Sequence, residues 1–448
     1  MLRILFLLIL FASNAFCDDY ALAAKETSDL LMALRKSADI PGMSVAVSLR
    51  GSKIYSSSFG MSDLENNSPV TAQTKFRIGS IMKVFTTVAV LRLAQSGKID
   101  LDDDIRKFVP EFPAKEHAVT IRQLTSHMGG IRHYSKEEIA GFASSTKEYK
   151  DLIEALEKFK DDPLLFAPDT SAKYSSYGFV LLGAMIEKVT GKSFNSYVQT
   201  EILHNAQLNN TMPELPEPLI PGRGRYYFKT KQGFVNAQPE NSSYKWSAGG
   251  YLSTAEDLCS FGSAILYGKL FDPKYLPLVL QEQKTSKGER SGYSMGFRIG
   301  KDSRNRTVLH HGGESQGGRA FLLLYPEEKL SIAMVANVFR APLFEGEAET
   351  IASYFHGDFG EPASELDGNY SFKTRMNDQD VSVKFEVRGK DAFVTLDNEK
   401  FAAIDCVRDG EVLRIIVATS SGIVNYWINK SGASYWGYDL PRQELIRN

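Results

Sequence analysis

Apolar positions divide the chain into a short continuous leader run, a long region of mixed periods and a tail of strict alternation. In the mixed region, Leu30, Leu31 and Leu34 share one side of a helix expected over about residues 20–38, ended by Ile40-Pro41-Gly42. Met43–Leu49 and Lys53–Phe59 flank Arg50-Gly51-Ser52, which reads as a β-hairpin. Phe76–Gly79 then leads into Ser80, and Val84–Leu91 continue as a helix apolar on nearly every side. Such a helix belongs inside a core. It turns amphipathic and stops at Gly97. Residues 101–220 read as mainly helical, with Leu181–Val189 an apolar helix ended by Thr190-Gly191, and strands return at Thr307–His310, Arg319–Tyr325 and Leu330–Asn337. The order implies a mixed α/β (α+β) domain: a sheet built from both ends of the sequence, with a helical insertion between.

A break falls near Phe359-Gly360-Glu361-Pro362. Beyond it Val381, Val383, Phe385 and Val387 alternate with polar residues, the period of a half-buried strand, and Ala392–Leu396, Val412–Ala418, Ile423–Ile428 and Ser434–Tyr438 continue the pattern. Residues 362–448 are therefore expected to form a small antiparallel β-barrel or sandwich.

The length of 448 residues, 43% hydrophobic and 24% charged, suits two or three ordinary globular domains. A net charge of −2 without a basic run argues against a nucleic-acid partner. Met1-Leu2-Arg3 followed by apolar Ile4–Phe11 is too brief to span a bilayer and reads as a signal peptide over residues 1–17, so an exported, periplasmic or extracellular protein is expected. A lipid on Cys17 would add the membrane as a partner, although Phe16 is bulky for a lipidation site. The remaining cysteines, Cys259 and Cys406, lie too far apart to suggest a disulfide framework.

Ser80 and Lys83 stand three apart where the buried helix begins, so hydroxyl and amine share a face. A serine attacks well only if a base takes its proton. At a pKa of about 10.4, only about one lysine in a few thousand is uncharged at pH 7. The site must therefore depress Lys83, by burial and by a second cation or hydroxyl donor nearby. Ser144-Ser145-Thr146-Lys147 repeats the spacing in a polar stretch with nothing to desolvate the amine, and reads as chance. Tyr174, ahead of Tyr177-Gly178, is either a core tyrosine before a helix or a third proton carrier. His311-Gly312-Gly313 follows a strand; it is either a glycine-rich turn or a strand edge that brings backbone N–H groups to a developing oxyanion. No His-Glu-x-x-His spacing and no P-loop are present, so neither a metal site nor a cofactor is expected.

Ser80-x-x-Lys83, Tyr174-Ser175-Ser176 and His311-Gly312-Gly313, in this order, resemble the serine β-lactamase and penicillin-binding-protein-like superfamily, in its class C lactamase, DD-peptidase and esterase branch. Leu124–Ile131, Tyr177–Gly183 and Ala248–Leu258 support the resemblance, which covers about residues 22–355. It implies a β-lactamase/transpeptidase-like antiparallel sheet flanked by helices, with a helical subdomain. It also implies acyl transfer through a Ser80 ester, with Lys83 and Tyr174 sharing the proton and His311 where many relatives carry the lysine of Lys-Thr-Gly. Ser176, Gly313 and the main chain of Glu314 would face the substrate and oxyanion. Relatives usually carry asparagine where Ser176 stands, which points away from antibiotic hydrolysis and towards esters, amides or peptides. The expected partner is a small-molecule or peptide substrate, cell-wall peptides among them. The alternative is a catalytically weak penicillin-binding or cell-wall-sensing module.

Overall fold

The computed structural model describes residues 20–141 and 147–357, and beyond them 361–362, 368–376, 379–388, 391–396, 399–409, 412–429, 432–436 and 443–447. The leader of residues 1–17 and the Ser144–Thr146 segment lie outside the described residues. The chain gathers into two compact units, Pro41–Ala341 and a second that joins the segment up to Ile40 with that from Pro342 onward. The first helix, α1 (Ala21–Ser37), thus groups with the C-terminal part and not with the strands that follow it.

The Pro41–Ala341 unit is organised by one antiparallel sheet. Its strands are β1 (Gly42–Leu49), β2 (Ser52–Asp63), β3 (Ser68–Pro69), β4 (Arg298–Lys301), β5 (Thr307–Ser315), β6 (Gly318–Tyr325) and β7 (Leu330–Ala336), in the order β3-β2-β1-β7-β6-β5-β4. β1 pairs with β7 from Met43↔Ala336 to Leu49↔Leu330, so the two ends of the region meet at mid-sheet, as the pattern of strands implied. All eight residues of β1 are buried, because both faces of the sheet are covered there.

Three helices of this unit matter for the site. In α2 (Met82–Gln95) every residue from Met82 to Leu91 is buried, which explains an apolar sequence on all sides. Phe85 stacks on Phe261 of α4 (Ala255–Leu266) with ring centroids 3.7 Å apart. α3 (Ser176–Thr190) is buried from Ser176 to Ile186; Ser175 caps it by accepting from the Gly178 N–H, and Gly191 ends it with φ 65°.

Residues 101–220 are less helical than expected. Apart from α3, their described α-helical segments are four to six residues long: Ile121–Thr125, Lys136–Gly141, Leu152–Ala155 and Phe194–Val198. Helices this short are unstable alone. Caps such as the reciprocal Thr120–Gln123 pair and packing of buried Ile121, Leu124 and Leu152 hold them.

In the other unit, α1 and α5 (Glu345–Phe355) pack on each other and on the late strands. The Glu347 carboxylate accepts from the Ile423 N–H at 2.7 Å, and Asn425 donates to Thr350 at 3.0 Å. The strands Gly368–Met376, Gln379–Arg388, Asp391–Leu396, Glu399–Asp409, Val412–Thr419, Gly422–Asn429, Gly432–Trp436 and Gln443–Arg447 pair each with the next. The last pairs back with the first at Phe372↔Arg447. The ring closes, so of the two expected forms the tail takes the barrel.

Candidate active site

Ser80 sits in a single 3₁₀ turn, Gly79–Ile81, that runs straight into α2. Gly79 has φ +49°, and a Cβ there would lie 2.6 Å from both the N and the O of Glu314. Glycine is required on both counts. On the other side of the turn, a Cβ on Gly313 would fall 1.8 Å from the Ile78 carbonyl oxygen. β5 therefore runs backbone to backbone against the Ser80 turn. It has a free edge to do so: β4 pairs with β5 only from Thr307↔Lys301 to His310↔Arg298. From His311 to Ser315 that edge faces the Ser80 turn, which brings the Glu314 N–H beside Gly79.

Lys83 is fully buried one turn after Ser80. Its Nζ lies 3.0 Å from Ser80 Oγ and donates at 2.9 Å to the Ala248 carbonyl. It also stands 5.0 Å from the Tyr174 ring centroid and 5.9 Å from that of Phe179. Burial, and then the charge of Lys245, hold its pKa well below the ordinary lysine value. An amine that gives one N–H to Ala248 keeps a lone pair for the Ser80 proton.

Tyr174 closes the other side. Burial pushes its phenol up to about 12, while hydrogen bonds with Ser80 and Ser176 act in the opposite direction. At neutral pH it is a protonated group touching Ser80.

Three imidazoles surround that phenol: His127 with ring centroids 4.6 Å away, His133 at 5.2 Å and His311 at 6.0 Å. The Ser175 N–H donates to His127 Nδ1 at 3.1 Å and the Ser176 N–H to His133 Nδ1 at 3.2 Å, so both rings carry their proton on Nε2. His311 Nδ1 is 2.7 Å from the Gly312 carbonyl, which places its proton on Nδ1. Burial is the largest cause lowering all three: His127 well below 6.5, His133 to about 4 and His311 to about 3. His311 is therefore uncharged and cannot act as a permanent cation.

These histidines have a measurable consequence. The unfolded chain binds protons near pH 6.5 that the folded chain refuses, so stability is complete above about pH 6.5 and is lost as the pH falls towards 4 and 3. Thermal melts are expected to show Tm falling progressively from pH 7 to pH 4. A Tm flat across that window contradicts neutral buried imidazoles.

The structure brings Ser80, Lys83, Tyr174, His311, Gly313 and Glu314 together. Ser176 is also present but turned inward: it is buried, and its hydroxyl is engaged by the phenols of Tyr134 and Tyr174. Sequence reasoning assigned no role to Lys245, His133 or Arg298, and quoted His127 only within a supporting segment. Arg298, exposed at the end of β4, lies 6.0 Å from the Tyr174 ring centroid and 5.0 Å from that of Tyr293. No local signal marks these residues. A left-handed backbone at His127, φ +60°, is the trace a structure adds.

The model of the beta-lactamase family matches residues 28–354. The chain belongs to that family. The human mitochondrial serine beta-lactamase-like protein LACTB is 30% identical, over 69% of this chain and 73% of that protein. Among solved structures, the octameric penicillin-binding protein homologue from Pyrococcus abyssi aligns with a TM-score of 0.65 at 19% identity, covering 94% of this chain and 99% of that one. A D-stereospecific amidohydrolase from Streptomyces aligns with a TM-score of 0.59 at 23% identity over 74% and 98%. Beta-lactamase family members share the serine-hydrolase fold, and Ser80-x-x-Lys83 lies inside the matched region.

Proposed function

We propose that the protein is an exported serine hydrolase that cleaves an ester, amide or peptide bond through an acyl-enzyme at Ser80. The observation that carries this reading is the Lys83 amine, fully buried and 3.0 Å from Ser80 Oγ, with its proton affinity lowered. Ser80 Oγ bonds to the substrate carbonyl carbon as its proton passes to Lys83. The resulting oxyanion is held by the N–H groups of Ser80 and Glu314. Collapse breaks the bond to the leaving alcohol or amine, which takes a proton from Tyr174, itself resupplied by Lys83. Water then releases the acyl group by the same steps in reverse order of partners.

An uncharged His311 in place of the usual lysine disfavours β-lactams, whose carboxylate needs a cation in the third motif, and favours neutral acyl groups. The expected order of turnover is a short-chain p-nitrophenyl ester first, with a D-Ala-D-Ala peptide and nitrocefin, which both carry a carboxylate, slower. Fluorophosphonate labelling at Ser80 together with this panel tests the reading. Absence of both label and turnover refutes it. Cell fractionation tests export by the residue 1–17 leader.

A second reading, a penicillin-binding or cell-wall-sensing module, is favoured by Ser176, whose hydroxyl is occupied by two phenols where relatives present an amide. Label that forms with penicillin and is never released would select it.

A further inference from the structure

Lys245 and Glu240 form an ion pair in which only 9% and 4% of the side chains are exposed. A pair this well buried is costly to desolvate and is weak evidence for stability as such. Its position is informative. The Lys245 carbonyl accepts from the N–H groups of Ala248 and Gly249, both at 2.8 Å, and this turn aims the Ala248 carbonyl at Lys83 Nζ. A Cβ on Gly249 would lie 3.8 Å from Lys245 Cδ and 3.7 Å from the Gly79 carbonyl carbon. The Lys245 stem and the nucleophile turn thus flank the same glycine.

We propose that Lys245 is a positioning residue for the reaction, a buried cation held against the Gly249 side of the Ser80 turn that acts on Ser80 through Lys83. The inference rests on Lys83 being the base for Ser80, as proposed above.

The groups facing Lys83 support it by elimination. From its own turn comes Ser80, from the residues just ahead of α3 the phenol of Tyr174, from the segment between Ile121 and Ser135 the rings of His127 and His133, and from β5 that of His311. The phenol is protonated and the imidazoles are uncharged at neutral pH. Burial is the larger cause lowering the Lys83 amine, and the charge of Lys245 acts in the same direction. Glu240 spends its field elsewhere, raising the phenols of Tyr134 and Tyr244. A fixed cation at this place favours the free amine, because two ammonium groups in a dry pocket repel.

The test uses the full chain and a probe that needs no knowledge of the substrate. In fluorophosphonate labelling, Ser80 Oγ bonds to phosphorus, fluoride departs and the proton goes to Lys83. The rate is measured from pH 5 to pH 10 for the wild type, for Lys245→Arg and for the double variant Lys245→Met/Glu240→Gln, which removes both charges and leaves no carboxylate stranded. Without the cation Lys83 holds its proton more tightly. The double variant is expected to label about tenfold more slowly at pH 7, with its midpoint moved up by about one pH unit and the same plateau at high pH. Lys245→Arg is expected to keep the wild-type midpoint. An unmoved midpoint in the double variant, or a rate lowered equally at every pH, overturns the assignment of Lys245 alone. A wild type that takes no label at Ser80 overturns the hydrolase reading and this proposal with it.

Discussion

Replacing Ser80 with alanine is expected to lower ester hydrolysis by on the order of 10⁴-fold or more, the scale seen when a covalent nucleophile is deleted. The neighbouring serine and threonine hydroxyls are engaged elsewhere. Ser176 is turned into the Tyr134 and Tyr174 phenols, and the Thr86 and Thr87 hydroxyls donate to the carbonyls of Ser247 and Lys83. The variant should fold. One oxygen is lost from a half-buried position, and Lys83 retains its bond to Ala248, so stability should change by no more than about 1 kcal/mol. Steady-state kinetics paired with a thermal melt separates the two effects. Activity within tenfold of wild type in a folded Ser80→Ala protein removes this residue from the chemistry.

A single methyl group on Gly313 should be nearly as damaging, for a reason that involves no side-chain chemistry. That methyl would sit 1.8 Å from the Ile78 carbonyl oxygen, and the obstacle is backbone, so β5 and the Ser80 turn must part. The Glu314 N–H then leaves the oxyanion position. Loss of one such donor costs about 10²–10³ in kcat, and the overpacking costs about 1–3 kcal/mol of stability. Gly312 provides the control. A Cβ there meets Phe321 Cδ2 at 3.6 Å, Arg319 Nη2 at 3.7 Å and Phe321 Cε2 at 3.8 Å, ordinary contacts, so Gly312→Ala should keep both activity and Tm. Equal behaviour of the two alanine variants argues against the close approach of β5 to the nucleophile.

Much of this architecture was readable from local pattern. Val84–Leu91 is apolar all round because every residue of α2 from Met82 to Leu91 is buried, and Ser80 with Lys83 shares a face through the 3₁₀ turn that feeds that helix. The strands at 307, 319 and 330 were legible through their apolar runs, and β5 extends past the expected His310 to Ser315 because glycines and polar residues can occupy a strand whose edge is in use. The overestimate of helix in residues 101–220 has a matching cause. Short helices there depend on caps and on distant packing partners, which no window of sequence displays.

Period and spacing settled the elements, their approximate bounds and the pairing of a hydroxyl with an amine, since each of these follows from the geometry of a few neighbouring residues. Folding settled the state of that amine. Lys245 lies far along the chain from Lys83, and His311 arrives from a different segment than His127 and His133. Burial and charge act through space, so three unremarkable histidines acquire meaning only once the chain has packed them around one phenol, and a scattered lysine once it lies against Gly249. The same holds for the free edge of β5, which exists because β4 stops at Arg298, and for the barrel, which closes through a pairing between its first and last strands.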